Sequence, residues 1–169
     1  MSTATDLPGE LGADYAPADE HRPLAGYSAI SAGFGVALAG AVTATRLSGR
    51  ELPERLSATD LVLAGIATHK ISRLIAKDKV TSFVRAPFTR FQEKSGHGEL
   101  EEAPRGTGLR HAIGELLVCP YCLAQWIAGA FTVGYVYAPR ATRLLAAMWT
   151  IHAVADGAQL AYSAAKQRT

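Results

Sequence analysis

Apolar positions in this chain gather into long runs, and the charges are pushed into the gaps between them. The first run, YSAISAGFGVALAGAVTATRL over 27–47, meets no charge until Arg46, which leaves about 19 residues against the roughly 20 that span a bilayer core. Gly33, Ala37 and Ala41 recur every four residues along it, as do Gly40 and Ala44. Such spacing lets helix backbones approach closely in lipid. A second uncharged run, CPYCLAQWIAGAFTVGYVY over 119–137, ends in Tyr135 and Tyr137, aromatics suited to a membrane interface. A further run over 143–163 is interrupted by His152, Asp156 and Gln159, and Pro139 and Arg140 read as the turn before it. The segment over 59–76 begins with Ser57 or Thr59 as a cap and Asp60 in its first turn. It stays apolar only as far as His69, Lys70 and Arg73, so these cations must snorkel or lean on neighbouring helices.

These runs predict an all-α integral membrane bundle of about four transmembrane helices, preceded by a disordered cytoplasmic tail over 1–24. The single helical membrane domain would occupy 25–169. With four crossings, one side receives ten Lys and Arg residues and the other five, which places both termini and the central loop in the cytoplasm of a bacterial inner membrane. Within that loop, KVTSFVRAPFTRFQEK over 79–94 sets Val80, Phe83, Val84, Phe88 and Phe91 at helical spacing among Lys79, Arg85, Arg90 and Lys94. This is the pattern of an amphipathic segment lying in the interface or packed on the bundle. Ser95 to Gly108 reads as flexible loop.

Composition agrees. Charged residues are 19% of the chain, below the roughly 25% of soluble domains, and hydrophobic residues reach 49%. A net charge of +2, with no basic stripe interleaved with aromatics, gives no ground for a nucleic-acid partner. The N-terminal residues have no basic stretch leading into an apolar core, so they do not read as a signal peptide. The partners to expect are the lipid bilayer and other membrane proteins or a second copy of the chain.

Three groups of residues could carry chemistry. Cys119-Pro120-Tyr121-Cys122 brings two thiols within one helical turn, and Pro120 suits the first helical position, with Cys119 as the cap. The free amides there would favour a thiolate. This candidate redox pair has no βαβ pattern around it. On the cytoplasmic side its thiols would be kept reduced, leaving a cycling or sensing role. His111, Glu115, Cys119 and Cys122 fall at steps of four, four and three, a ligand set zinc would accept if the helix ran through, and Pro120 opposes that continuity. No other cofactor is indicated. Third, His69 and Arg73 on one helix, and His152 and Asp156 on another, form an intramembrane polar set. They read either as a proton relay or as a buried pair that fixes helix register. No nucleotide loop, nucleophile elbow or HExxH motif is present.

ATHKISRLIAKDKVTSFVRAPFTRFQ, then GELLVCPYCLAQWIAG, then PRATRLLA, resemble in order the bacterial family catalogued as domain of unknown function 1360. The resemblance runs from about Leu61 to Tyr162. It implies a membrane-embedded protein, and some members carry a sporulation-protein label. Matching positions would be His69, Arg73, Lys77, Asp78, Arg85, Pro87, Glu115, Cys119, Pro120, Cys122 and Trp126. After Asp156 this chain reads Gly-Ala-Gln, where family members carry a bulkier segment. The leading expectation is a non-enzymatic accessory or scaffold component. A thiol-disulfide protein using Cys119 and Cys122 is the rival, and a metal-binding membrane protein the third reading.

Overall fold

The computed structural model describes Tyr15 and residues 22–168, so the expected disordered tail over 1–24 lies almost wholly outside the described residues. Six α-helices and one strand pair follow in order. They are α1 (Leu24–Leu47), α2 (Ala58–Lys77), a 3-10 turn (Lys79–Thr81), α3 (Ser82–Arg85), β1 (Thr89–Ser95), β2 (Glu99–Pro104), α4 (Gly108–Val118), α5 (Pro120–Tyr137) and α6 (Pro139–Lys166).

Ser57 caps α2 by accepting the Asp60 amide at 3.0 Å, so the helix starts at Ala58. Pro139 does not form a separate turn with Arg140. It occupies the first turn of α6, where its missing N–H costs nothing. Only Ala138 separates α5 from α6.

The four long helices run alternately up and down. At one end Arg143 of α6 forks onto Asp60 of α2 at 2.9 and 3.0 Å, and the Tyr135 hydroxyl of α5 donates to the Asp60 carbonyl. At that same end Tyr137 meets Thr45 of α1 at 3.0 Å. At the opposite end lie the start of α1, the close of α2, the strand pair, α4 and the start of α5. Between the ends the core is small: Ala67, Phe131, Tyr135 and Ala146 are buried, with Leu63, Ile71, Ile127 and Trp149 packed around them.

Two expectations are corrected. The chain is mostly helical but not all-α, because 89–104 is an antiparallel hairpin whose register pairs Ser95 with Glu99 and Thr89 with Pro104. Pro87 stops the helix that the Phe and Val spacing suggested. The interfacial segment over 79–94 therefore divides into a 3-10 turn, one turn of α3 and strand β1. The segment taken as loop supplies β2. Its signal was a three-residue turn with Gly96 and Gly98 at φ 54° and 84°, conformations that glycine adopts without strain. Second, among the described residues one helix, α1, is by itself long and apolar enough to cross a membrane. α4 and α5 pass together only as a pair bent by 84°. Lys70 and Arg73 in α2, and His152, Asp156 and Gln159 in α6, dilute the apolar character of the other two.

Candidate functional site: a disulfide-walled groove beneath a salt-bridged cap

The cap is built by matched spacings. Residues four apart on a helix are separated by about 6.0 Å along its axis, and residues two apart on a strand by about 6.6–6.8 Å. Arg73 and Lys77 of α2 can therefore face Glu99 and Glu101 of β2 in step. Arg73 Nη2 reaches both carboxylate oxygens of Glu99 at 2.5 and 2.6 Å, and Lys77 Nζ reaches Glu101 at 2.7 Å. Arg85 continues the set from α3. Fully buried, it forks onto Glu102 at 2.9 and 3.1 Å and donates to the carbonyls of Ile75 and Asp78. Thr89 donates a further bond to Glu102 at 2.6 Å. Every buried side-chain polar atom among the described residues has a partner, as a buried ionic network requires.

α4 is clamped beneath the hairpin. A Cβ on Gly114 would stand 2.6 Å from the Phe88 carbonyl oxygen and 3.1 Å from the Pro104 Cβ, so only glycine fits there. On its other side α4 meets α1, where a Cβ on Gly26 would come within 2.7 Å of the Ala112 Cβ.

At Cys119 the chain turns from α4 into α5. Pro120 opens the new helix, and Cys119 is its cap, accepting the Cys122 amide on its sulfur at 3.2 Å. The two cysteines are joined as a disulfide, where the sequence suggested reduced thiols. The bond forms one wall of a groove of about 450 Å³ between α1, α4 and α5. Phe34 and Trp126, edge to face at 5.3 Å, form another wall, and Glu115 lies within the groove, accepting a hydrogen bond from the Tyr27 hydroxyl. Arg22 and His111 stand 3.7 and 3.8 Å from the Glu115 carboxylate.

The groove thus brings Glu115, Cys119 and Cys122 together, with His111 behind Glu115. Among the described residues no group of three or more His, Cys, Asp or Glu is placed to hold a metal ion, and Cys119 and Cys122 face each other as a disulfide. The intramembrane polar set is divided. Asp156 is paired, but with Lys70 at 2.6 Å rather than with His69 or Arg73, while His69 and His152 are exposed, His152 edge-on to Trp149. Lys70 also stands 3.8 Å from Asp78, whose carboxyl is raised above its ordinary value of 3.8 by burial, the lysine pulling the other way. Sequence reasoning missed Tyr27 and Phe34, because α1 gave no polar signal, and missed the three glutamates, because their strand was read as loop.

Helices crossed at alternating polarity, a strand-pair cap and a disulfide-walled groove define a small helical protein with one composite site at one end. The chain belongs to the family described as protein of unknown function DUF1360, whose model matches residues 63–162. That match takes in most of α2, the cap, α4, α5 and most of α6, and leaves out α1 and the first turn of α2. Among curated proteins it is similar to UPF0713 protein YngL of Bacillus subtilis (strain 168), 30% identical over 90 residues, which are 52% of this chain and 65% of that protein. It is also similar to the sporulation protein YjcA of the same organism, 32% identical over 98 residues, 56% of this chain and 83% of that one. No solved structure matches the chain.

Proposed function

We propose that this chain is a membrane-embedded accessory protein in which α1, α2, α5 and α6 all cross the bilayer. The cap and α4 would lie at the cytoplasmic end, where they dock a partner membrane protein or a second copy. The observation that carries the reading is the distribution of apolar surface. Val36 and Leu38 on α1, Leu61 and Val62 on α2, and Leu144, Ile151, Val154 and Leu160 on α6 all face outward, while Asp60, Lys70 and Arg85 are buried. A water-soluble monomer rarely exposes apolar patches beyond a few hundred Å². The alternating helix directions suit four crossings, and the ten-to-five division of basic residues orients them. Exposed Val80, Phe83, Val84 and Phe91, beside Lys79, Arg90 and Lys94, would place the rim of the cap at the headgroups. Arg73, Lys77 and Arg85, which match the family pattern, are each occupied in holding the hairpin, a scaffold role rather than a reactive one.

The test uses a Cys119→Ser/Cys122→Ser background carrying either Ser48→Cys or His97→Cys. The protein should stay in the membrane pellet after alkaline washing. Impermeant maleimide should reach residue 48 in intact cells and residue 97 only after permeabilisation. Release by alkali, or equal labelling of both, overturns the topology. Recovery from mild detergent as a monomer with nothing co-purifying overturns the accessory role.

A second reading has its own observation: a disulfide forming one wall of an open groove is placed for thiol-disulfide exchange. If the double Cys→Ser variant restores a deletion strain as fully as the parent, this reading fails.

A further inference from the structure

The groove's contents narrow what could exchange electrons with the disulfide. We propose that it binds a membrane quinone, which takes two electrons from the reduced Cys119–Cys122 pair; this rests on the thiol-disulfide reading above. Three observations converge. The first is size and lining. About 450 Å³ lies within the 300–1,000 Å³ typical of small-molecule sites. Ile30, Phe34, Leu116 and Trp126 give walls suited to a flat ring. Beside the cysteines the polar groups are four, Tyr27, Ser31, Glu115 and Gln125, few enough to orient a ligand's carbonyl oxygens within largely apolar walls.

The second is position. α1 forms one side of the groove and carries exposed Val36 and Leu38 just beyond it. An isoprenoid tail leaving the groove along α1 would meet the same apolar surface that lipid covers.

The third is redox state. At the cytoplasmic end assigned by the topology proposed above, the surrounding poise keeps thiols reduced, so closing Cys119 on Cys122 in a redox cycle needs an oxidant close at hand. A lipid-soluble quinone is an oxidant that reaches a groove at this depth.

The step balances. The two S–H bonds of Cys119 and Cys122 break, and the sulfurs join as the disulfide. The two electrons and two protons pass to the two quinone oxygens, giving a hydroquinone. Cys119 is the electron-donating thiolate, because it caps α5 and its sulfur accepts the Cys122 amide. Glu115, hydrogen-bonded to Tyr27, is the group in the groove able to relay a proton to a quinone oxygen. Cytosolic thiols then reopen the disulfide.

The experiment uses full-length protein in nanodiscs, reduced and freed of reductant under anaerobic conditions, with decyl-ubiquinone as the probe. Thiol loss is followed by maleimide mass shift and quinone reduction by absorbance. A Trp149→Phe background makes Trp126 the reporter of binding. The expected result is one quinone reduced per cysteine pair, at least tenfold faster than a free dithiol of equal concentration reacts. Quinone should quench Trp126 saturably, and the quench should persist in Cys119→Ser, where electron transfer stops. Oxidation by glutathione disulfide without acceleration by quinone, and with no quench, overturns the quinone site and leaves the thiol-disulfide reading standing. Cysteines that neither oxidant closes in folded protein overturn both.

Discussion

The guanidinium of Arg85 and the carboxylate of Glu102 meet as a fork sealed from solvent, their side chains 0% and 5% exposed. Removing one member of such a pair strands the other charge in the interior, at a cost of about 3–5 kcal/mol. Arg85→Met should therefore lower the melting temperature in detergent sharply. Arg85→Met combined with Glu102→Leu should recover part of the loss, since no orphaned charge remains. A single variant that melts with the parent would mean the fork does not hold the cap.

Lys70 serves two carboxylates, Asp156 at 2.6 Å and Asp78 at 3.8 Å. Losing Asp156 leaves the lysine a partner, whereas losing the lysine leaves two acids facing each other. Thermal midpoints should fall in the order parent, Asp156→Asn, Lys70→Met. The reverse order would remove Lys70 from the centre of this cluster.

Two glycine substitutions should move stability in opposite directions. Gly114→Ala drives a methyl against the Phe88 carbonyl and Pro104, backbone and ring that cannot swing aside, and should cost about 1–3 kcal/mol. Gly65→Ala in α2 meets nothing within 4 Å and should be neutral or stabilising by up to about 1 kcal/mol. Equal effects at the two positions, in the same melting assay, would contradict the clamp on α4.

The hairpin should loosen in acid. The hydrogen bond from Lys77 holds the Glu101 carboxyl below its ordinary value of 4.5, with burial opposing. A depressed carboxylate stabilises the fold above its unfolded value and loses that contribution as pH falls through the folded one. A nitroxide at Gln92 should gain mobility below about pH 4.5. The change should be absent in Lys77→Met, where no ion pair remains to break. A spectrum unchanged over that interval would show that this pair does not attach the hairpin.

α1 and α5 were legible because a helix that buries little still declares itself by an uninterrupted apolar run, and α2 and α6 by shorter runs broken at His69 and at His152. The Ser57 cap and the Cys119–Pro120 start of α5 were legible because caps are local chemistry. The cap over the bundle end was not. The Phe and Val spacing over 80–91 fits a helix as well as a strand, and only Pro87 and the Gly-His-Gly turn argue otherwise. The Asp156 partner is Lys70, not the His69 or Arg73 of the expected polar set, because spacing names a helical face without saying which of its cations reaches across. The groove needed α1 and α4 to meet at Gly26 and Ala112, a tertiary contact that no local pattern encodes.

The 84° turn at Cys119 concentrates backbone polarity as well as bending the chain. The final carbonyls of α4 lie beyond the reach of their own helix, and Leu116 turns its carbonyl to the Cys119 amide at 3.3 Å. At the start of α5, Pro120 carries no amide hydrogen and the Cys122 amide is held by the Cys119 sulfur. An unbroken helix would present only side chains there. Here the main chain itself supplies acceptors, which leaves the corner hospitable to a single water or another hydrogen-bond donor.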